Sequence, residues 1–339
     1  MRAPGRRRGR LAVVPAVLAL VAFLVAGCAK NAPQDTLSPE GPAARTIDNL
    51  IEPVFIVAGV IFVLVEVLVV VFTIRYRQRR NSPDPVQIEG NTRLELFWTV
   101  VPALILFFVA IPTLATIFKL AKKPADALAV TVVGHQFWWE YRYDDFGIVT
   151  ANELHIPAGQ PVEISLEGAD VIHSFWVPKL AGKTDVVPGR TNHMSIEADK
   201  PGTYLGQCVE FCGISHANMR LQAIAHTPSD FNNWVREQQT AATAPPEGSP
   251  AADGLSLWNA KGCGGCHTVE GVSKGNVGPN LTHLYSREVF AGSLFALNDE
   301  NLRKWLANPP KEKPGSLMPD LNLSPEEITS LIAYLKTLQ

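Results

Sequence analysis

The stretch CVEFCGISHANM, residues 208–219, places four side chains that bind soft metals within twelve positions. Those side chains are Cys208, Cys212, His216 and Met219. Thiolate and thioether ligands select copper, and two histidines, one cysteine and a weak axial methionine form the mononuclear blue-copper set. A second cysteine also allows a binuclear site, because two thiolates can bridge a pair of copper ions. The second imidazole that such a pair needs is available upstream at His173, in the segment HSFWVP.

Three other interpretations of these cysteines are open at this point. Cys208, Cys212 and His216 could hold zinc, although methionine is a poor zinc ligand and such sites need a fourth nitrogen or sulfur donor. A redox dithiol is another, although its usual spacing is C-x-x-C. Structural disulfides are the ordinary use of cysteine in exported chains. Against them, each of the five cysteines lies inside a local motif that uses it otherwise.

The same residues resemble the binuclear copper (CuA) domain of cytochrome c oxidase subunit II, whose pattern is H…C-x-E-x-C-x-x-x-H-x-x-M. The resemblance extends from about residue 50 to residue 234 and includes ELFWTVVP at 95–102 and GKTDVVPGR at 182–190. It implies a cupredoxin-like β-sandwich in which Cys208 and Cys212 bridge two copper ions. The other implied ligands are His173 and His216 at the ends of the pair, with Met219 and the Glu210 carbonyl as weak axial ligands.

The resemblance also assigns the Glu210 carboxylate to a magnesium ion shared with subunit I. It disfavours the quinol-oxidising branch of the family, which lacks these copper ligands. One position departs from the pattern: GHQFWW at 134–139 stands where the family has G-H-Q-W-Y-W. Phe137 thus replaces the tryptophan at which mobile cytochrome c delivers its electron. The replacement is either a neutral aromatic exchange in a core or a changed entry point for electrons.

A second motif, CGGCH at residues 263–267, has the C-x-x-C-H spacing that attaches c-type haem covalently. Cys263 and Cys266 would form the two thioethers, and His267 would be the proximal iron ligand. The alternatives are half of a zinc site or a thioredoxin-like dithiol. They would need a second C-x-x-C or a surrounding βαβ pattern, and the sequence has neither nearby.

The sixth iron ligand is either Met318, in the segment LMP, or His283. Methionine–histidine ligation raises the potential of c-type haems. GPNL at 278–281, the Met-Pro pair and a final helix resemble class I cytochromes c, which favours Met318. The capping box SPEE at 324–327 predicts the start of that helix. Apolar residues spaced three and four apart predict its buried face: Ile328, Leu331, Ile332 and Leu335.

Three apolar runs indicate a membrane protein. The first follows a basic start and ends in VAGC at 25–28, which is typical of a lipoprotein signal cleaved before a lipidated Cys28. A plain signal peptide or an uncleaved anchor is the alternative. The runs at 54–74 and 96–118 can each span about 30 Å of hydrocarbon as a helix. Arginines between them place the connecting loop in the cytoplasm, so both ends of this hairpin are predicted to face outward.

The sequence therefore predicts a multidomain membrane protein. Its parts are a lipoprotein signal peptide (1–27), an external N-terminal segment (28–52), a transmembrane helix hairpin (53–119), a cupredoxin CuA domain (126–236), a flexible linker (237–253) and an all-α class I cytochrome c domain (254–339). The linker is predicted because its stretch is rich in Ala, Pro, Gly and Ser and lacks periodicity. Short strands separated by Gly and Pro predict the sandwich, with examples at 128–133, 162–167, 192–196 and 221–225.

A subunit II joined to a cytochrome c domain resembles the caa-type haem-copper oxidases. The resemblance implies an electron-entry subunit of a respiratory oxidase, in the bacterial cytoplasmic membrane, with the copper and haem domains on the outer face. The implied partners are subunit I, where dioxygen is reduced with proton pumping, subunit III, membrane lipid, and an external donor that is cytochrome c or a cytochrome bc-type complex. Glu95, at the cytoplasmic edge of the second span, is implied as the mouth of a proton-uptake path; a solvated interfacial acid is the alternative.

Charge excludes some functions. The net charge of −2 gives no electrostatic support to a general nucleic-acid role. Residues 254–339 carry eight basic and eight acidic side chains, whereas residues 126–236 carry seven basic and thirteen acidic, a net charge of −6. A tethered cytochrome has little need of a basic face, because its linker supplies effective concentration. A copper-delivery lipoprotein and a nitrogen-oxide reductase subunit are the rival functions; the haem motif and Glu95 disfavour the first, and the hairpin disfavours the second.

Overall fold

The structure is a computed structural model that describes residues 32–78, 86–87 and 89–339. The predicted signal peptide and Cys28 lie outside these residues. Two long apolar helices come first, α1 (Pro42–Arg75) and α2 (Thr92–Leu120). Both are long and apolar enough to cross a membrane. Most of their apolar side chains are exposed in the isolated chain, as expected of surfaces that lipid or partner helices cover.

The first helix continues beyond the membrane onto the soluble part of the chain. Its 34 residues span about 50 Å at 1.5 Å per residue, well over the roughly 30 Å of hydrocarbon. In its first turn Ala44 is buried and Arg45 pairs with Asp199. Gly41 precedes the helix at a point where a Cβ atom would collide with the Glu197 carbonyl oxygen, so this close approach requires glycine.

The middle of the chain is a sandwich of two five-stranded sheets. The first has the order β3-β2-β1-β5-β8, with strands β1 (Leu128–His135), β2 (Trp138–Tyr143), β3 (Ile148–Ala151), β5 (Val162–Gly168) and β8 (Asn192–Ile196). The second has the order β4-β10-β9-β6-β7, with strands β4 (Glu153–Pro157), β6 (His173–Trp176), β7 (Thr184–Val186), β9 (Gly202–Cys208) and β10 (Arg220–His226). All four of the strands predicted from the sequence are present.

The core of the sandwich lies between the sheets, because alternate side chains along each strand point inward. Trp139, Tyr141 and Tyr143 alternate along β2 in this way and are fully buried. At one end of the sandwich β6 and β9 pair antiparallel, so that Phe175 lies opposite Cys208. This pairing brings the two halves of the predicted copper motif to the same end of the second sheet.

The segment predicted as a linker, residues 237–253, is shorter in the structure. Helix α3 (Pro228–Gln238) ends inside it and helix α4 (Pro250–Ala260) begins inside it. The irregular stretch is therefore residues 239–249. The Ser249 hydroxyl caps α4 by accepting a hydrogen bond from Ala252 N, with proline at the first helical position, and this cap is why the helix starts within a stretch of loop-like composition.

The C-terminal domain is mainly helical. After α4 it contains α5 (Asp299–Ala307), α6 (Pro309–Glu312) and α7 (Pro325–Leu335). Helices α4 and α7 approach closely because Gly254 has no Cβ atom, which would otherwise collide with the Ser330 carbonyl oxygen. The predicted capping box is present at Ser324 and Glu327. The four apolar residues predicted for the buried face of the last helix are all buried.

Two short hairpins supplement these helices. They are β11–β12 (Thr268–Val269 and Ser273–Lys274) and β13–β14 (Val289–Phe290 and Phe295–Ala296). The sequence did not predict them, because strands of two residues carry no periodicity. The turn of the second hairpin, residues 291–294, lies against the sandwich: Arg220 N donates to Gly292 O at 2.9 Å, and Ser293 Oγ donates to Asn152 O at 3.3 Å.

Candidate copper and haem sites

The predicted copper ligands come together at one end of the second sheet, beside strands β6 and β9. The Sγ atoms of Cys208 and Cys212 lie 3.9 Å apart. His173 Nδ1 lies 3.9 Å from Cys208 Sγ, and His216 Nδ1 lies 3.7 Å from Cys212 Sγ. Each sulfur therefore has one imidazole beside it, an arrangement with approximate two-fold symmetry.

The two weak ligands predicted from the sequence are also divided between the sulfur atoms, one beside each. Glu210 O lies 3.3 Å from Cys208 Sγ, and Met219 Sδ lies 3.9 Å from Cys212 Sγ. The ligand atoms of His173, Cys208 and Cys212 all lie within 4.8 Å of one another. All six residues of the sequence motif thus surround one small volume, with soft sulfur and imidazole donors at its centre.

Backbone contacts fix the loop that carries the cysteines. Cys208 N donates to Met219 O at 2.9 Å, which closes the loop, and Val209 N donates to Ser174 O at 3.1 Å. A 3-10 turn, His216–Asn218, then presents the His216 ring. Because this framework is held by main-chain hydrogen bonds, the ligands keep their positions without depending on one another.

His173 is oriented by its second nitrogen. Its Nε2 lies 2.8 Å from Asp170 Oδ1, which leaves Nδ1 facing the sulfur atoms. Such a carboxylate partner fixes the ring and increases its basicity as a metal ligand. The ring is fully buried, and a Cβ atom on Gly134 would lie 2.9 Å from His173 Cδ2. Glycine at 134 therefore leaves the room that the imidazole occupies.

The protonation of the two thiols also suits a metal. The hydrogen bond between the two thiols lowers the pKa of Cys208 and raises the pKa of Cys212. The Cys208 thiol therefore loses its proton more readily than a free thiol, and thiolate is the form that binds metals. The four described cysteines are free of disulfides. The chemistry of this donor set fits two copper ions bridged by sulfur.

The haem motif lies at a separate cavity of about 330 Å³. Cys263, Cys266 and His267 line one side of it, and Met318 lines another. His267 Nδ1 lies 2.9 Å from Pro279 O, so this hydrogen bond holds the ring and leaves Nε2 available to a metal. Burial lowers the pKa of His267, which keeps the ring neutral as iron ligation requires.

A buried arginine in the same cavity indicates whether haem fits there. Arg287 is 8% exposed and lines the cavity; its Nη2 donates to Asn280 O, whereas its Nε has no partner among the described residues. Burial lowers the pKa of Arg287 to about 10. The charge of Glu153 acts on Arg287 in the opposite direction, raising its pKa. The free Nε donor can still bind a second anionic group, as a carboxylate of haem would be, so the cavity and the C-x-x-C-H motif fit the same group.

The rival sixth ligand, His283, lies elsewhere. It is buried, its Nδ1 is 2.7 Å from Gln339 O, and it does not line the cavity. This hydrogen bond to the last residue of the chain explains the position of His283. Among the two candidates from the sequence, the one that faces the cavity is Met318.

Phe137 connects the two sites. Its side chain is 5% exposed and lines the haem cavity together with Gln136 and Trp138 of the copper domain. A Cβ atom on Gly213, the residue after Cys212, would lie 3.0 Å from the Phe137 ring. Phe137 is thus neither on a free surface nor inside the sandwich core alone; it lies where the two soluble domains meet.

Sequence reasoning missed the residues that join the domains. Lys313 Nζ donates to Phe137 O, and Glu153 Oε1 accepts from the backbone of Glu288 and Val289. Neither residue belongs to a motif, and pairs so distant in sequence leave no spacing signal. Arg287 was also missed, although it lies only six positions after GPNL, which sequence reasoning could have used as a signal.

Glu95 lies in the first turn of α2, where it is exposed in the isolated chain. Its Oε1 approaches Gly90, just before the helix. Part of the arginine-rich loop between the helices lies outside the described residues. Glu66 lies on α1, also exposed.

Three family models match the chain. Cytochrome C oxidase subunit II, transmembrane domain, matches residues 32–116; Cytochrome C oxidase subunit II, periplasmic domain, matches 148–225; and Cytochrome c matches 251–339. Together they follow the order hairpin, sandwich and helical domain. The periplasmic-domain model implies CuA copper for the sandwich, and the cytochrome c model implies haem for the C-terminal domain.

Relatives match over nearly the whole length. Cytochrome c oxidase subunit 2 of Alkalihalophilus pseudofirmus is 38% identical over 331 residues, covering 95% of this chain and 96% of that protein. Cytochrome c oxidase subunit 2 of Bacillus subtilis is 34% identical over 346 residues, covering 95% and 96%. The crystal structure of the periplasmic domain of cytochrome oxidase subunit II from Bradyrhizobium japonicum is 31% identical, covers 34% of this chain and 96% of that one, and has a TM-score of 0.33.

The chain belongs to the cytochrome c oxidase subunit 2 family. It is a membrane protein in which a cupredoxin-like sandwich and a cytochrome c domain follow two apolar helices, and as such it is a subunit of a haem-copper oxidase.

Proposed function

We propose that this chain is the electron-entry subunit of the oxidase, passing electrons from its own haem c to its CuA centre and on to subunit I. The observation that carries the proposal is the position of Phe137, which lines the haem cavity and packs beside the loop of Cys212. The two redox sites share a wall, so electrons have a short protein path between them. When bound, the haem and the copper pair each take up and release one electron.

Different residues of the chain are assigned to the copper site and to the haem site. We assign Cys208 and Cys212 to bridging the copper ions, and the terminal and weak ligands are His173, His216, Met219 and the Glu210 carbonyl. A site held by main-chain hydrogen bonds changes shape little when its charge changes, which lowers the cost of moving an electron. At the haem we assign the thioether bonds to Cys263 and Cys266 and the two axial positions to His267 and Met318.

The remaining assignments concern the partners. Subunit I receives the electron and reduces dioxygen to water with proton pumping, Glu95 opens the proton path into it, and the Glu210 carboxylate reaches a magnesium ion at its interface. Subunit III completes the complex, and the external donor is cytochrome c or a cytochrome bc-type complex. The copper and haem domains lie on the outer face of the cell membrane, with Cys28 as a lipid anchor; the arginine-rich loop supports this orientation.

The test is to photoreduce the haem in the purified complex and to follow copper reduction. We expect a unimolecular reaction, independent of protein concentration and only mildly sensitive to salt, because the donor is part of the same chain. A rate that scales with protein concentration would contradict the proposal. So would full activity with external cytochrome after deletion of residues 254–339, since the copper domain would then accept electrons from mobile donors directly.

A further inference from the structure

One buried lysine bridges the two redox domains. Lys313 follows helix α6 in the haem domain and is 3% exposed. Its Nζ donates to Phe137 O of the copper domain at 2.6 Å and to Ala291 O of its own domain at 2.7 Å. A cation is costly to bury, so its presence here requires a specific arrangement of acceptors.

The surroundings of Lys313 fit it closely. Gly292 lies directly beside it, because a Cβ atom there would stand 2.5 Å from Lys313 Nζ, 2.7 Å from Phe137 O and 3.1 Å from Asn218 O. Gly292 has φ +74°, which glycine adopts without strain. Gly315 is similar, since its Cβ would stand 3.1 Å from the Phe137 ring. Two glycines therefore let the haem domain approach the copper domain on either side of the lysine.

The lysine also lies on the segment that carries Met318. Five positions separate the two residues, and Ser316 N, between them, donates to Lys313 O at 3.0 Å. The same segment closes the haem cavity against Phe137. One ammonium group thus ties the cavity wall formed by Met318 to the cavity wall formed by the copper domain.

We propose that Lys313 is a positioning residue that clamps the haem domain onto the copper domain and holds the haem cavity against Phe137. The inference rests on the proposed electron route and deepens it. A tether of eleven irregular residues alone, 239–249, would leave the haem domain free to sample many orientations. The clamp selects the one in which the cavity faces the copper loop.

Burial lowers the pKa of Lys313 to about 7. Both the ammonium and the neutral amine donate hydrogen bonds, so either form can hold the two carbonyl oxygens. Glu153 contributes from the other side of the interface, since Oε1 accepts from Glu288 N at 2.7 Å and Val289 N at 2.8 Å. The Lys313 and Glu153 contacts are therefore two buried polar contacts between the domains, in addition to the hydrogen bonds from Arg220 N to Gly292 O and from Ser293 Oγ to Asn152 O.

The test uses the full chain in its complex, with haem and copper in place and a specific protease site inserted within residues 240–247. After cleavage, the wild-type haem domain is expected to stay bound during gel filtration, whereas in Lys313→Met it separates. Two carbonyl oxygens lose their donor in this variant, which weakens docking about ten- to a hundred-fold. Photoreduced haem in the uncut variant should reduce copper about ten-fold more slowly or worse, with an unchanged haem spectrum.

Lys311→Met is the matched control, because Lys311 is exposed two positions away and should change neither result. Gly292→Ala is a second variant that keeps the lysine but crowds both Lys313 Nζ and Phe137 O with its methyl group, and it should reproduce the defect. Lys313→Met and Gly292→Ala proteins that stay docked after cleavage and transfer electrons at the wild-type rate would overturn the clamp. A wild-type haem that never reduces copper would instead overturn the proposed electron route, while co-elution would still decide whether the clamp exists.

Discussion

Gln136 and Cys212 are joined by a hydrogen bond of 2.6 Å, in which the side-chain amide of Gln136 donates to the Cys212 carbonyl oxygen. Gln136 also lines the haem cavity. One side chain therefore contacts both the copper loop and the haem site, next to the packing contact that Phe137 makes with Gly213. The two redox sites are connected through adjacent residues of a single β-turn segment, and their chemistry can be tested one site at a time.

The first prediction concerns the copper pair. Replacing Cys212 with Ser should abolish binding of the pair and its mixed-valence spectrum, because the bridge and the contact with Met219 Sδ both depend on this sulfur. Metal analysis and electron paramagnetic resonance of the purified chain measure the effect. Phe211→Ala is the control, since Phe211 is 78% exposed in the same loop. A wild-type chain that holds one zinc ion in place of two coppers would contradict the assignment.

The second prediction concerns the sixth iron ligand. Met318→Ala should leave haem covalently attached but weaken or remove the axial ligand. The reduction potential of the haem should therefore decrease, by an amount inside the roughly 0.8 V range over which axial ligands set it. Visible spectroscopy and a redox titration measure both. His283→Gln should leave the spectrum unchanged, because His283 does not line the cavity. The reverse pattern in the two variants would move the assignment to His283.

The third prediction concerns proton supply. Glu95→Ala should slow turnover of the assembled oxidase while haem and copper reduction stay fast, because only the proton path is impaired. Oxygen uptake measured together with stopped-flow reduction separates the two steps. Glu66→Gln on α1 is the control. Full turnover in the Glu95 variant would identify this residue as an interfacial acid without a role in proton supply.

The fourth prediction concerns helix packing in the haem domain. Gly254→Ala should destabilise this domain by about 1–3 kcal/mol, the usual cost of overpacking, since the new methyl group collides with the Ser330 carbonyl oxygen. Denaturant unfolding followed through haem absorbance measures the loss. Gly271→Ala gains its methyl group in open space and serves as a steric control, although its φ of +78° adds some strain. Equal stability of Gly254→Ala and the wild type would show that α4 and α7 can separate freely.

The fifth prediction concerns acid stability. Burial, together with repulsion from His155, lowers the pKa of His226 to about 4. In the unfolded chain the value is about 6.5. The folded state therefore binds fewer protons in this range, and the stability contributed by neutral His226 is complete above pH 6.5 and is lost as pH falls towards 4.

Thermal melting of the chain between pH 7 and pH 4 measures this effect. His226→Asn should reduce the fall in melting temperature across the range, because it removes the titrating ring. His193→Asn, at an exposed position on β8, should not. An identical pH profile in His226→Asn and the wild type would show that other groups account for the acid sensitivity.

Local patterns allowed much of the molecule to be predicted. Ligand spacing at 208–219 and at 263–267 marks both sites, and the capping box at Ser324 marks the last helix, because each depends on residues close in sequence. Helix α4 was missed because Ala, Pro and Gly dominated the composition of its stretch. The signal was present, since Ser249 and Pro250 repeat the cap that was read correctly at Ser324.

The interface between the domains was not predictable in the same way. Lys313 and Phe137 are 176 positions apart, and no local sequence pattern at either residue predicts their contact. Lysine in a polar loop is expected in solvent. Only the folded chain shows that the ammonium group is buried, and only the docked domains show what the substitution at Phe137 contacts.

Helix α1 runs from Pro42 into the predicted span at residue 54, so about 18 Å of helical rod, which contains Pro53, links the sandwich to that span. Inserting one residue into this rod would lift the sandwich by about 1.5 Å and turn it by about 100° relative to the membrane helix. The orientation of the copper loop relative to the membrane helices is thus set by the number of residues in this rod. Deletions or insertions here would rotate the copper loop about the helix axis. Each added residue would change this rotation far more than the height of the loop above the membrane.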